Sequence, residues 1–222
     1  MTQLKYYDTT SGTWITAVVG AQGVQGAQGT NAFQVPASSH STTSASGSLP
    51  FATWTFDPAL TTQDVVTITS TNGVVYFWQF YLPVDTTVST VSCNVYTAGS
   101  TLTNAYIGIY DMATPSILRG SVALPSTLST GFNTFTLIAT GAGLTLTAGT
   151  YQVAICMAAT TKPTFWSANS GGTATQTNLG ITPVANKLSY RAGHVMSGQT
   201  SLPATISGTP ATDIFVGWFG IA

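Results

Sequence analysis

Residues 74–82, VVYFWQFYL, decide the fold. Aromatic and β-branched side chains fill a pleated, half-buried surface well. A run so continuously apolar predicts a strand buried on both faces, or one whose outer face meets another subunit. Neighbouring runs alternate instead. Ile107 and Ile109 alternate with Tyr106, Gly108 and Tyr110. Phe135 and Leu137 alternate with Thr134 and Thr136. Tyr151, Val153, Ile155 and Met157 alternate with Gln152, Ala154 and Cys156. Period two predicts strands with two unlike faces. Turn signals separate them: Thr71-Asn72-Gly73, Ala98-Gly99-Ser100, Thr130-Gly131, Ala148-Gly149 and Ser170-Gly171-Gly172. The apolar run 213–221, DIFVGWFGI, belongs to the core or to a subunit interface rather than to a tail. Strands at this spacing predict an all-β chain, an antiparallel β-sandwich of jelly-roll type over residues 49–222.

Composition supports strands over helices. The 222 residues are only 5% charged, all six acidic residues are Asp, and Thr, Ser, Gly, Val and Ala dominate. Hydrophobic residues at 44% and aromatics at 11% exclude a disordered chain. A net charge of −1, with Lys5, Arg119, Lys162, Lys187 and Arg191 scattered, gives no footprint for nucleic acid or an anionic membrane. No apolar run reaches the length of a membrane span. The first residues, MTQLK, lack the apolar core of a signal peptide, so synthesis in a cytoplasm and release by a route other than secretion are expected. Cys93 and Cys156 sit in strand-like runs and are expected as buried free thiols, with a disulfide as the alternative.

Upstream of the sandwich lie three shorter parts. Residues 1–19 read as a β-hairpin: Leu4-Lys5-Tyr6-Tyr7, the turn Asp8-Thr9-Thr10-Ser11-Gly12, then Thr13-Trp14-Ile15. Residues 20–30 carry Gly20, Gly23, Gly26 and Gly29 at strict three-residue spacing. Only glycine fits the axis of a collagen-like triple helix, so this period predicts a trimeric neck roughly 30 Å long. The alternative is a flexible linker. Residues 31–48, which include ASSHSTTSASGS, read as a polar linker.

The residues offer little for catalysis. His40 and His194 have no zinc-ligand spacing. A glycosidase needs two facing carboxylates. Asp57, Asp64, Asp85, Asp111 and Asp213 are available, and each has an ordinary alternative: Asp57 and Asp85 read as turn residues, and Asp111 ends a strand. No G-x-S-x-G elbow is present. Neither an enzyme nor a cofactor or metal site is expected. Binding is the better fit. An exposed aromatic ring stacks on the apolar face of a pyranose when amides and hydroxyls rim it. Trp166 and Asn169, in KPTFWSAN, and the pair Tyr190-Arg191 are the candidate glycan-binding residues. Trp54, Trp78, Trp166 and Trp218 also have a core role open to them, and it is the expected one for Trp78 and Trp218.

Two stretches, KYYDTTSGTWITAVVGAQGVQGAQG and AYIGIYDMATPSILRGSVAL with GFNTFTLIATGAGLTLTAGTYQVAICMA, carry a family resemblance. The chain resembles the fibre and minor tail proteins of bacteriophage virions, especially of phages that infect actinobacteria. That resemblance implies a homotrimer held to other virion proteins, at a tail tip or capsid, through its N-terminal hairpin. Tyr6, Tyr7 and Trp14 are then the anchor, and the sandwich faces outward toward a host-surface glycan. The neck is far shorter than the shaft of a long fibre, which keeps a capsid decoration protein or short head fibre open as the alternative. A polysaccharide depolymerase ranks behind both. The resemblance implies a protein assembled in the host cytoplasm and extracellular in the released particle.

Overall fold

The computed structural model describes residues 5–16, 51–55, 62–67, 73–141, 143–169, 182–212 and 215–222. The chain divides into two units, residues 1–35 and 36–222. The glycines of the expected neck and the linker 31–48 lie outside the described residues.

In the first unit, β1 (Lys5–Asp8) pairs antiparallel with β2 (Thr13–Thr16), with Tyr7 opposite Trp14 and Asp8 opposite Thr13. Asp8 organises the turn. One carboxylate oxygen accepts the Thr10 amide at 2.9 Å, and the other accepts the Ser11 hydroxyl at 2.7 Å. The Gly12 amide closes back on the Asp8 carbonyl, and Gly12 has φ +65°, a conformation glycine adopts without a Cβ clash. The Ser11 hydroxyl, then the Thr10 amide, hold the Asp8 carboxyl below its usual range.

The second unit is all-β, with no helix among the described residues. Its strands are β3 (Thr53–Trp54), β4 (Thr62–Thr67), β5 (Val75–Leu82), β6 (Thr86–Thr87), β7 (Thr90–Thr97) and β8 (Gly99–Tyr110). Next come β9 (Leu118–Ala123), β10 (Thr127–Leu128), β11 (Gly131–Thr136), β12 (Ile138–Ala139), β13 (Thr145–Leu146) and β14 (Gly149–Thr161). The chain closes with β15 (Thr164–Asn169), β16 (Ala192–Val195), β17 (Ala211–Thr212), β18 (Phe215–Gly217) and β19 (Phe219–Ile221). Sheet I has the order β12-β9-β8-β14-β5-β16-β17, with β10 added to β8. Sheet II runs β18-β15-β7-β19-β3, with β11 on β7 and β4 on β15; β6 and β13 form a small ribbon. Every pairing is antiparallel.

The sheets share one inner core. Val153 and Ile155 of β14, Ile107 and Ile109 of β8 and Trp78 of β5 meet Val91, Cys93 and Val95 of β7, Phe165 of β15 and Phe219 of β19. Trp78 stacks on Phe219 across the two layers at 4.9 Å. This is the β-sandwich expected from period two, and Val75–Leu82 is a central strand as its composition predicts.

The outer face of sheet I departs from the simple pattern. Gln152, Ala154 and Cys156, on the side of β14 away from the inner core, are as buried as Val153 and Ile155. Ala154 and Cys156 join Val75, Phe77 and Tyr110 of the same sheet face, with Val195 of β16, in a second apolar cluster, covered by Leu188, Tyr190, Leu202 and Ile206. The irregular stretches on either side of β16 thus supply Leu188, Tyr190, Leu202 and Ile206 as a third layer. Hydrogen bonds fix it in place. The buried Gln152 amide donates to the carbonyls of Leu188 (3.1 Å) and Tyr190 (2.9 Å). Ser116 donates its amide to Asn186 and accepts the Ile206 amide, while its hydroxyl accepts the Leu188 amide. The Tyr110 hydroxyl donates to the Pro203 carbonyl, and burial pushes its ionisation far above the usual range. Both cysteines are free and buried.

Candidate functional site

Sheet II has a different outer face. In β7, Val91, Cys93 and Val95 point into the core, so Ser92, Asn94 and Tyr96 point out. Residues directly opposite in a ladder share a face, which places Phe132 (opposite Asn94) and Thr134 (opposite Ser92) beside them. Ser92 and Thr134 join through their hydroxyls at 2.9 Å. In β15, Phe165 and Ser167 are buried inward and Trp166 faces outward. Trp218, between Gly217 and Phe219, is 6% exposed and belongs to the core cluster, the core role expected of it; its amide bonds the Trp166 carbonyl at 2.9 Å.

One continuous surface results. Tyr96 and Trp166 meet edge to face at 5.5 Å and 88°. Phe132 contacts Trp218 at 6.2 Å and Phe51 at 6.1 Å, and Phe51 meets Trp218 at 5.6 Å and 80°. Tyr96 is 44% exposed and Phe132 43%. Two perpendicular rings make a corner with one flat floor and one wall. An apolar ring face fits the floor, and the Asn94 amide and the exposed Thr134 hydroxyl supply hydrogen bonds nearby, while Ser92 is buried beneath its bond to Thr134. None of these side chains is charged.

The residues singled out by sequence separate in space. Trp166 belongs to this surface. The side chain of Asn169 lies outside the described residues. Tyr190 sits in the covered cluster beyond sheet I, only 9% exposed, on the far side of the sandwich from Trp166. Arg191 is exposed beside it, its carbonyl accepting the Gln79 amide. The structure therefore does not bring Trp166 together with Tyr190 and Arg191. Trp166 stands within β15. Tyr96, Phe132 and Asn94 went unrecognised in sequence, although the alternation of Val91, Cys93, Val95 against Ser92, Asn94, Tyr96 marks an outward aromatic. On the hairpin, Tyr7 is exposed, and the side chains of Tyr6 and Trp14 lie outside the described residues.

The described aspartates have structural work. Asp85 accepts the Ala148 amide at 2.8 Å. Asp111 accepts the amides of Ala113 and Ile117 and faces Arg119 at 3.7 Å. Asp57 and Asp213 lie outside the described residues, as does the side chain of Asp64. His194 packs against Tyr76 at 5.7 Å. No group of three or more His, Cys, Asp or Glu that could hold a metal occurs among the described residues. No helix among them is long and apolar enough to cross a membrane. No protein-family model and no curated protein matches the chain.

Proposed function

We propose that the chain is a structural protein of a bacteriophage virion, a trimeric fibre or minor tail protein whose jelly-roll-like sandwich binds a neutral host-surface glycan. The observation that carries the binding part is the Tyr96–Trp166 corner beside Asn94 and Phe132, an uncharged aromatic surface on an outer sheet face. Exposed aromatic surface of this kind marks a binding site more often than it serves stability. Three shallow sites on one trimer gain avidity without a deep pocket in any subunit. The hairpin β1–β2 is the virion anchor in this account, and the Gly20–Gly29 period is the trimeric neck. A lone hairpin is marginal in water, so a docking partner suits it.

The capsid decoration reading shares the binding surface. It is favoured by spacing: 34 residues separate Thr16 from Phe51, too few for a long shaft. Gold-labelled antibody on intact particles separates the two. Label at the tail tip is the expected result. Label spread over the head transfers the protein to the capsid, and particles without label overturn the virion assignment.

A further inference from the structure

The second observation on the aromatic surface is a hydrogen-bond donor with nothing to bond. Trp218 is 6% exposed, and its Nε1–H is buried without an acceptor. Native proteins keep few such groups, and each needs a reason. Phenylalanine at 218 would retain an aromatic ring against Phe51 and Phe132 while removing the stranded donor. The edge-to-face approach of Phe51 offers at most a weak π-type acceptor.

Phe51 itself occupies an unusual seat. A Cβ on Gly220 would fall 2.5–2.8 Å from three atoms of the Phe51 ring, so the ring lies directly on bare backbone. Its chain neighbour Ala52 bonds the Ile221 carbonyl at 2.7 Å, and β3, which follows, is two residues long at the sheet edge. The seat is flat and apolar, walled by Trp218 and Phe132, and carries no charge. A flat, uncharged, aromatic-walled seat is chemically suited to the C–H face of a neutral pyranose ring.

We infer that the Phe51 ring is a displaceable plug, and that a neutral pyranose residue takes its seat and accepts a hydrogen bond from Trp218 Nε1–H. This rests on the glycan reading above and adds to it a second subsite, next to the Tyr96–Trp166 corner. The uncharged surroundings favour neutral hexopyranosides over acidic sugars. A sugar hydroxyl or ring oxygen supplies the missing acceptor, and the pyranose C–H face replaces the phenyl ring.

The test is a titration of full-length protein, with 15N-labelled tryptophan, by methyl glycosides of glucose, galactose, mannose and N-acetylglucosamine. The Trp218 indole resonance is the one lost in Trp218→Phe. It should move on addition of at least one glycoside. Trp218→Phe should be as stable in denaturant as the parent, or more so, yet bind about two- to tenfold more weakly. Phe51→Ala should bind more tightly, because the seat is already vacant. A Trp218 resonance that stays still while Tyr96→Ala abolishes binding overturns the plug and leaves the glycan reading standing. No response of any tryptophan to any glycoside overturns both. Should Trp218→Phe fail to fold, selective loss of one indole signal in Phe51→Ala on titration still distinguishes these outcomes.

Discussion

The two sheets treat their outer faces in opposite ways. Sheet I carries Phe77, Ala154, Cys156 and Tyr110 outward and covers them with a third layer from its own chain. Sheet II carries Tyr96, Phe132 and Trp166 outward beside the buried Trp218, and Tyr96 and Phe132 remain more than 40% exposed. Both faces are apolar enough to be core. Sheet I is closed over Phe77, Ala154, Cys156 and Tyr110, although Tyr81 of β5 stays 46% exposed, and the closure is held by buried hydrogen bonds from Gln152, Ser116 and Tyr110. The open aromatic face is the one on which the proposed glycan binding rests.

Substitutions should break that contrast unequally. Phe77→Ala removes a fully buried ring from the covered face and should cost about 3–5 kcal/mol in denaturant unfolding. A loss below about 1 kcal/mol would mean that the third layer does not pack on sheet I. Gln152→Leu leaves the Leu188 and Tyr190 carbonyls without their donor and should cost about 1–3 kcal/mol. Hydrogen exchange should then rise over residues 182–191 before it rises in β14; uniform exchange would contradict the layer's local fixation.

The cysteines sharpen the comparison further. Burial pushes the Cys93 thiol up to about 12 and the Cys156 thiol up to about 11, so neither is a nucleophile at neutral pH until it is uncovered. Cys93 lies in the inner core and Cys156 under the third layer, its thiol facing the Gln199 carbonyl. Thiol labelling under native conditions should therefore modify Cys156 first, through opening of residues 182–210. Equal rates would show that the layer opens only with the whole sandwich. The pH dependence has a fixed sign. The folded values lie above the ordinary thiol value of 9.0, so the protonated thiols stabilise the fold fully below pH 9. That contribution is lost as pH rises from 9 toward 11–12, and unfolding midpoints should fall over this range. The smallest stability effects belong to the open face. Tyr96→Ala and Phe132→Ala should each cost about 1 kcal/mol or less, because their rings are already half in water.

Much of the scaffold was legible from residue order. VVYFWQFYL announced a central strand, and the alternations at 106–110 and 151–157 located β8 and β14. The third layer was not. Residues 182–210 carry Pro183, Gly198, Pro203, Gly208 and Pro210 and no sustained period, so nothing local says that Leu188, Leu202 and Ile206 cover a sheet. The alternation of Tyr151–Met157 predicts two unlike faces, with Cys156 expected as a buried thiol but nothing local to say that Gln152 beside it is covered as well. The structure buries both by pairing them with carbonyls of the covering chain. The site was half legible. Trp166 stood out as a tryptophan near a glycine-rich turn. Its partners Tyr96, Phe132 and Trp218 lie 70, 34 and 52 positions away in sequence, and only the antiparallel register brings them together.

The most direct test of the account is glycan binding by the parent protein against the double variant Tyr96→Ala/Trp166→Ala, on an array of neutral and acidic glycans, with unfolding curves for both. The account predicts binding of the parent to neutral glycans, binding lost in the double variant, and a cooperative unfolding transition retained. Undiminished glycan binding by a folded double variant would contradict the assignment of the open face of sheet II as the binding surface.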